Sequence, residues 1–410
     1  MVESGVPSAR EPATSTSDAR LLRSLALVAA GCVGVALIHV LLRSMVNSGR
    51  PWGPLDAWPR MVEHEVDLHA HWSVLARRPM MNHLLAGLAT ITPWSAWTRF
   101  VVAQLAALGW AGIEMMLTTR RVAIWRGDDA PAHVRRALAM FFLYPPVLFA
   151  WFRPVYTFDD LLIVALVLRA VRRVIDQRWL AAACLLAIAV AGHEVALFIL
   201  PSVIWLAWDV SERKPRVAVL LVVPAIAWLV ARQLNHAGGD GGMESWSAIR
   251  AINFGTPKDT ISSIGALILA MGLPSVFVAA RTPAPPRRLA GYYVVALALT
   301  LPVLAIAAYL RELRLASLAG YLVLPFLVFR FEALQLYDRW QALAAIACGA
   351  LAIAIYHPVL ASTPWVFRIY AGVVVGLFAS LGLARLRHRL GRRQPLPQDP
   401  AASSEAPIRT

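Results

Sequence analysis

Apolar runs that approach the thickness of a bilayer alternate with short polar or basic stretches along most of the chain. A membrane-spanning helix needs about 20 predominantly apolar residues. The pattern therefore predicts an all-α fold, a polytopic transmembrane helical bundle of about 12 spans, several of them short enough to need tight packing or a thinned bilayer. The predicted spans cover residues 20–42, 98–118, 136–152, 160–176, 179–192, 195–210, 216–235, 262–280, 289–310, 315–330, 341–360 and 366–384.

The composition agrees with this pattern. Of the 410 residues, 59% are hydrophobic and only 15% are charged, and the mean hydropathy is +0.60. A soluble chain carries about 45–50% apolar and about 25% charged residues. The composition therefore excludes a water-soluble enzyme and a disordered regulator, and it makes the lipid bilayer the first expected partner.

The ends of the chain and two loops differ from the apolar runs. We expect a disordered cytoplasmic leader over residues 1–19 and a disordered cytoplasmic tail over 391–410, on either side of a transmembrane domain at 20–390. A cleaved signal peptide is the alternative for the first run, but no convincing small-residue cleavage site follows it. A first outer loop with interfacial helices is expected at 44–97, and a flexible, glycine-rich outer loop at 236–261.

The net charge of +15 comes largely from arginines in short loops between apolar runs. This distribution is typical of cytoplasmic loops, and no basic region with interleaved aromatics stands apart to bind nucleic acid. The basic loops fall on one side only if residues 80–97 do not cross the bilayer. We therefore expect 80–97 to be an interfacial or re-entrant outer-face helix, in a multi-pass protein of the inner (cytoplasmic) membrane with both termini cytoplasmic.

The first outer loop concentrates acidic and imidazole side chains. On a helix, Glu63, Asp67 and His71 would share one face, and Glu65 stands two residues before Asp67. Carboxylates beside imidazoles can act as general bases or hold a divalent metal. The alternative is a solvated amphipathic segment on the membrane surface. No cofactor is required by the sequence, and a divalent metal is the one candidate.

Three further polar groups are predicted on the outer face. Near the start of the 160–176 span, acidic residues follow aromatic ones, where helix capping is the plain alternative. An acid and an imidazole interrupt an apolar stretch, a placement that usually marks a buried network or a cavity. Arginines flank a glutamate before the 315–330 span and can bind a phosphate or lock the loop by ion pairing. The first group is Tyr156 and Asp159, the second is His193 and Glu194, and the third is Arg311, Glu312 and Arg314.

The order of these features resembles the GT-C superfamily of polytopic glycosyltransferases that use lipid-phosphate sugars. The resemblance covers roughly residues 60–335. Within the superfamily, the chain is most similar to uncharacterised bacterial members. It rests on the acidic first loop with its Arg-Pro step, a Tyr-x-x-Asp step, a His-Glu step where an Arg-Glu pair is usual, and a Glu-Leu-Arg step. In this chain they are Glu65, Asp67 and Arg78-Pro79; Tyr156 to Asp159; His193-Glu194; and Glu312 to Arg314.

The resemblance implies transfer of a sugar from a polyprenyl-phosphate donor to an outer-face glycan or lipid acceptor. Asp67 or Glu65 would be the general base, and Arg311 and Arg314 would stabilise the departing lipid phosphate. Glu194 and the Tyr156–Asp159 step would orient the acceptor or those arginines. The alternatives are a transporter or flippase of lipid-linked glycans, a glycan polymerase or acyl transferase, and a non-catalytic membrane protein.

Overall fold

The computed structural model describes residues 14–44, 80–128, 130–152, 160–234, 246–279, 289–307, 313–329, 339–356 and 365–391. Within these ranges the chain forms helices and no strand, which confirms the predicted all-α class. The α-helices are α1 (Thr14–Ser44), α2 (Met80–Ile91), α3 (Ala96–Arg126), α4 (Ala130–Phe142), α5 (Pro145–Phe152), α6 (Asp160–Ile175), α7 (Trp179–Gly192), α8 (Leu200–Val210), α9 (Val219–Leu234), α10 (Trp246–Phe254), α11 (Pro257–Ala279), α12 (Leu289–Ala307), α13 (Leu313–Leu327), α14 (Arg339–Tyr356) and α15 (Trp365–Gly391).

Several helices are suited to a bilayer. In the described part of the chain, four are long and apolar enough to cross a membrane, and four shorter ones are also apolar. The protein therefore has the helices of a membrane protein, while the count of twelve spans stays a prediction. Helix α2 has 12 residues, or about 18 Å, less than the hydrocarbon thickness of about 30 Å. The interfacial placement of 80–97 also stays a prediction.

The structure divides some of the predicted runs. The 136–152 run breaks where α4 ends and α5 begins with Pro145, because proline lacks an N–H and disfavours a helical residue before it. The 195–210 run opens with a 3₁₀ helix, Glu194–Ile199, before α8. The 236–261 segment, predicted to be a flexible loop, contains α10 and the start of α11.

Helix α6 lies at the centre of the bundle. Every residue from Leu161 to Val171 is buried except Arg169, and α6 contacts α3, α7, α8 and α13. Burial on all sides is typical of a helix that touches protein rather than lipid. Because α6 runs through the core, its two termini mark the two ends of the bundle. We call the end near Ile175 the basic end and the end near Asp160 the opposite end.

Charged side chains join α3 to α6 near the basic end. The Glu114 carboxylate accepts a hydrogen bond from an Arg172 Nη atom at 2.7 Å and a weaker one from the Trp110 indole N–H at 3.3 Å. Beyond them, the Arg121 Nε atom lies 2.5 Å from the Asp176 carboxylate. The side chain of Glu114 is 4% exposed and that of Arg172 is 17% exposed, so this ion pair is shielded from water.

A proline inside α11 leaves one backbone carbonyl to be satisfied by another segment. Pro274 cannot donate to the carbonyl of Ala270, four residues earlier. The Tyr144 hydroxyl donates to that carbonyl instead, and in the next position the Tyr293 hydroxyl donates to the Met271 carbonyl at 3.0 Å. In an apolar environment an unsatisfied carbonyl would be costly, so the Tyr144 hydroxyl makes the proline tolerable.

Helices α14 and α15 form a tightly packed hairpin. A Cβ atom on Gly349 would lie 2.7 Å from the carbonyl oxygen of Gly372, so the two backbones approach too closely for a side chain. The hairpin meets α11 where Val374 packs against Gly272. Near the basic end, the Arg385 guanidinium donates to the carbonyl of Ala279, the last residue of α11.

Candidate functional site

A small cavity lies at the opposite end of the bundle. Its walls come from α5, α6, the turn after α7, and α13, and its polar lining residues are Asp160, His193 and Ser317. Apolar side chains such as Ile163 and Leu318 complete the wall. Its volume of about 20 Å³ suffices for about one water molecule. The cavity is therefore a small, partly open pocket in which a few polar groups interrupt an apolar wall.

His193 is fixed by a backbone hydrogen bond. The residue is 4% exposed, and its Nδ1 atom accepts a hydrogen bond from the Val195 N–H at 3.2 Å. The imidazole thereby caps the N-terminus of the 3₁₀ helix Glu194–Ile199. Because Nδ1 accepts, the proton of the neutral ring resides on Nε2. The backbone hydrogen bond therefore holds the imidazole ring in place.

Glu194 is placed differently from its neighbour. Its side chain is 43% exposed, and its Oε2 atom lies 3.9 Å from the His193 Nδ1 atom. That distance is too long for a hydrogen bond, and Nδ1 already accepts from the backbone. The two side chains therefore form an ion pair only when the imidazole is protonated, and the neutral ring is held by the backbone instead.

Asp160 and Ser317 reach the cavity from two other helices. Asp160 is the first residue of α6 and is partly exposed, so its carboxylate is favoured by the positive end of the helix dipole. Ser317 is 2% exposed and lies one turn after Arg314 on α13. The three polar residues thus come from three separate segments, and more than a hundred residues lie between Asp160 and Ser317 in the sequence.

Most predicted site residues lie outside the described residues. These are Glu63, Glu65, Asp67, His71, Arg78, Tyr156, Asp159, Arg311 and Glu312. Arg314 lies in the first turn of α13, but its side chain is among those not described. Of the predicted set, His193 lines the cavity directly, and Asp159 and Arg314 are close along the chain to two of its other lining residues.

No metal centre is found in the part of the chain that the structure describes, since it contains no group of three His, Cys, Asp or Glu side chains able to hold an ion. The metal ligands proposed from the sequence, Glu63, Asp67 and His71, are outside that part. The metal prediction for the first outer loop therefore stays a prediction.

Of the residues that line the cavity, only His193 was predicted as a site residue, and two of those that were missed lie on α13. Ser317 and Tyr321 both line the cavity, and they follow Arg314 by three and seven residues. Positions i, i+3 and i+7 share one face of a helix. A helical projection from Arg314 would therefore have found both residues, whereas their residue types alone, one serine and one tyrosine in an apolar helix, give no signal.

Comparison with known proteins gives no relative. The chain matches no protein-family model, and no curated protein or solved structure matches it. Function is therefore inferred from the residues and from their placement in the bundle.

Proposed function

We propose that this protein is an integral membrane glycosyltransferase. In this proposal it moves a sugar from a polyprenyl-phosphate donor to a glycan or lipid acceptor on the outer face of the inner membrane. The observation that carries the proposal is the shared cavity of Asp160, His193 and Ser317. These three residues come from the same segments as the Tyr-x-x-Asp, His-Glu and Glu-Leu-Arg steps.

The orientation of the site follows from charge. Arg121, Arg126 and Arg172 lie toward the basic end, and arginine-rich loops are typical of the cytoplasmic side. The cavity lies at the other end of α6, so the proposal places it toward the outer face. ATP is absent there, which favours a sugar donor that is carried by a lipid.

The proposed chemistry is a displacement at the sugar. An acceptor hydroxyl oxygen attacks the anomeric carbon, the bond from that carbon to the phosphate oxygen breaks, and polyprenyl phosphate leaves with the bonding electrons. Asp67 or Glu65 takes the hydroxyl proton. Arg311 and Arg314 stabilise the charge that develops on the leaving phosphate, and the Nε2–H of His193 donates a hydrogen bond to a substrate oxygen.

A substitution at His193 can separate two roles. The Nδ1 atom caps the 3₁₀ helix, and the Nε2–H is the proposed donor to the substrate. Asparagine is also a good N-cap, so His193→Asn keeps an acceptor for the Val195 N–H and removes the Nε2–H donor. We expect this variant to fold like the wild type and to lose at least about tenfold in transfer rate, the effect of one lost substrate hydrogen bond. His193→Ala loses both the cap and the donor.

The assay uses purified full-length protein in proteoliposomes with radiolabelled polyprenyl-phosphate hexoses and pentoses, and an envelope extract as the acceptor source. Transfer of label to the extract supports the proposal, and Asp67→Asn and Arg314→Ala should abolish it. Wild-type protein that moves intact lipid-linked sugar across the bilayer without releasing polyprenyl phosphate would identify a flippase and refute the proposal. A His193→Asn variant as active as the wild type would reduce His193 to a structural cap.

A further inference from the structure

A second and much larger cavity lies at the basic end, far from the candidate site. It has a volume of about 1110 Å³ and is enclosed by the first half of α1, the second half of α3, and the loop and first turns leading into α4. Typical small-molecule pockets have volumes of about 300–1,000 Å³. The space therefore suffices for a sizeable ligand rather than for a few waters.

Three arginines on three different helices line this cavity. They are Arg23 of α1, Arg120 of α3 and Arg135 of α4, and all three are exposed. Each guanidinium presents planar donors that match the oxygens of a phosphate. With three arginines and one acidic residue, Asp128, in its lining, the cavity has an excess of positive charge.

Neighbouring arginines at the same end have ion-pair partners, and within the described part of the chain none is found for these three. Arg121 pairs with Asp176 at 2.5 Å, and Arg172 pairs with Glu114 at 2.7 Å. Asp128, the acidic residue that lines the cavity, is held by Arg126 at 2.7 Å. Among the described residues, none forms an ion pair with the three cavity arginines.

Apart from Ser24 and Asp128, the rest of the wall is apolar, and part of it is exposed on the surface of the bundle. Leu27 of α1 and Ile124 of α3 line the cavity and are exposed. Only 11% of the apolar segment Leu21–Ile38 of α1 is buried in protein, so this helix borders the space that acyl chains would occupy. A ligand that suits both walls has an anionic phosphate head and apolar tails.

We propose that this cavity binds an anionic phospholipid of the inner leaflet. Basic pockets between membrane helices on the cytoplasmic side bind such headgroups. Arg23, Arg120 and Arg135 hold the phosphate, and the apolar residues of α1 and α3 contact the chains. The proposal is independent of glycosyl transfer and requires only that the basic end faces the cytoplasm.

The test measures lipid binding by native mass spectrometry on purified full-length protein in detergent, with phosphatidylglycerol and phosphatidylcholine of the same chain length. We expect one phosphatidylglycerol to bind selectively. The variant R23Q/R120Q/R135Q should weaken that binding about a hundredfold, and each single substitution about fivefold. The single variants keep the test valid should the triple variant fail to fold.

The matched control is R178Q/R213Q/R216Q, which removes the same charge from exposed arginines near the same end that do not line the cavity. It should bind phosphatidylglycerol within about twofold of the wild type. Equal binding of both lipids, or an equal loss in the control, would overturn the proposal in favour of a diffuse surface charge. Displacement of the lipid by inorganic phosphate at the same concentration would show that only the phosphate is recognised, and would also overturn it.

Discussion

Two regions of the bundle bury polar groups by different means. Between α3 and α6, two full charges meet, since the carboxylate of Glu114 faces the guanidinium of Arg172. Beside Pro274 of α11, the buried groups are neutral carbonyls, and tyrosine hydroxyls from other segments satisfy them. A charge taken out of water costs much more than a carbonyl does. The first region therefore depends on a close counter-charge, with Trp110 and the more distant Arg169 as weaker partners of Glu114, whereas the second needs only neutral hydrogen-bond donors.

The largest expected effect is at the ion pair. Glu114→Gln leaves the largely buried Arg172 without a counter-charge and should lower the free energy of unfolding by about 3–5 kcal/mol. The measurement is denaturant unfolding of the purified protein in detergent. Glu114→Gln combined with Arg172→Met removes both charges and should recover most of the loss. A single variant within about 1 kcal/mol of the wild type would show that the pair contributes little.

An intermediate effect is expected at the proline. Tyr144→Phe removes the donor to the Ala270 carbonyl and should cost about 1–3 kcal/mol in the same assay. Pro274→Ala supplies a backbone N–H for that carbonyl, so the double variant Tyr144→Phe, Pro274→Ala should be more stable than Tyr144→Phe alone. If the double variant shows no recovery, the tyrosine stabilises the bundle by packing and not by its hydroxyl.

The smallest effect is expected where an ion pair is open to water. Arg126 and Asp128 are 2.7 Å apart, and the Asp128 side chain is 38% exposed. Asp128→Asn should cost at most about 1 kcal/mol, and the loss should shrink as the salt concentration rises. Comparison with Glu114→Gln shows the effect of burial on the strength of an ion pair. Both substitutions neutralise the acidic partner of an arginine, Arg126 on α3 for Asp128 and Arg172 on α6 for Glu114, and the two pairs differ in their exposure to water. A loss as large as that of Glu114→Gln would contradict the role given to burial.

The helical class and the membrane character could be predicted from sequence because they depend on composition and on the length of apolar runs. The interruption at Pro145 was missed because the apolar pattern continues through it, although proline is readable in the sequence. The 3₁₀ helix after His193 was missed for another reason. Its apolar residues fit either helix type, and only the capping geometry of His193 separates the two.

The candidate site could be predicted only in part. His193 was singled out from its cost at membrane depth, and it lines the cavity. Ser317 and Tyr321 are ordinary residues in an apolar helix, and their role depends on which face of α13 turns toward α6. That choice is made by tertiary packing. For the same reason, the sequence could not show that Glu114 and Arg172 are partners.

The close backbone approach of Gly349 and Gly372 has a consequence for how a change would spread through the bundle. A side chain at either position would meet the backbone of the other helix, so even alanine would push α14 and α15 apart. Val374, which packs against Gly272 of α11, stands two residues after Gly372 on the same helix. The glycine contact and the contact with α11 are therefore mechanically coupled through α15.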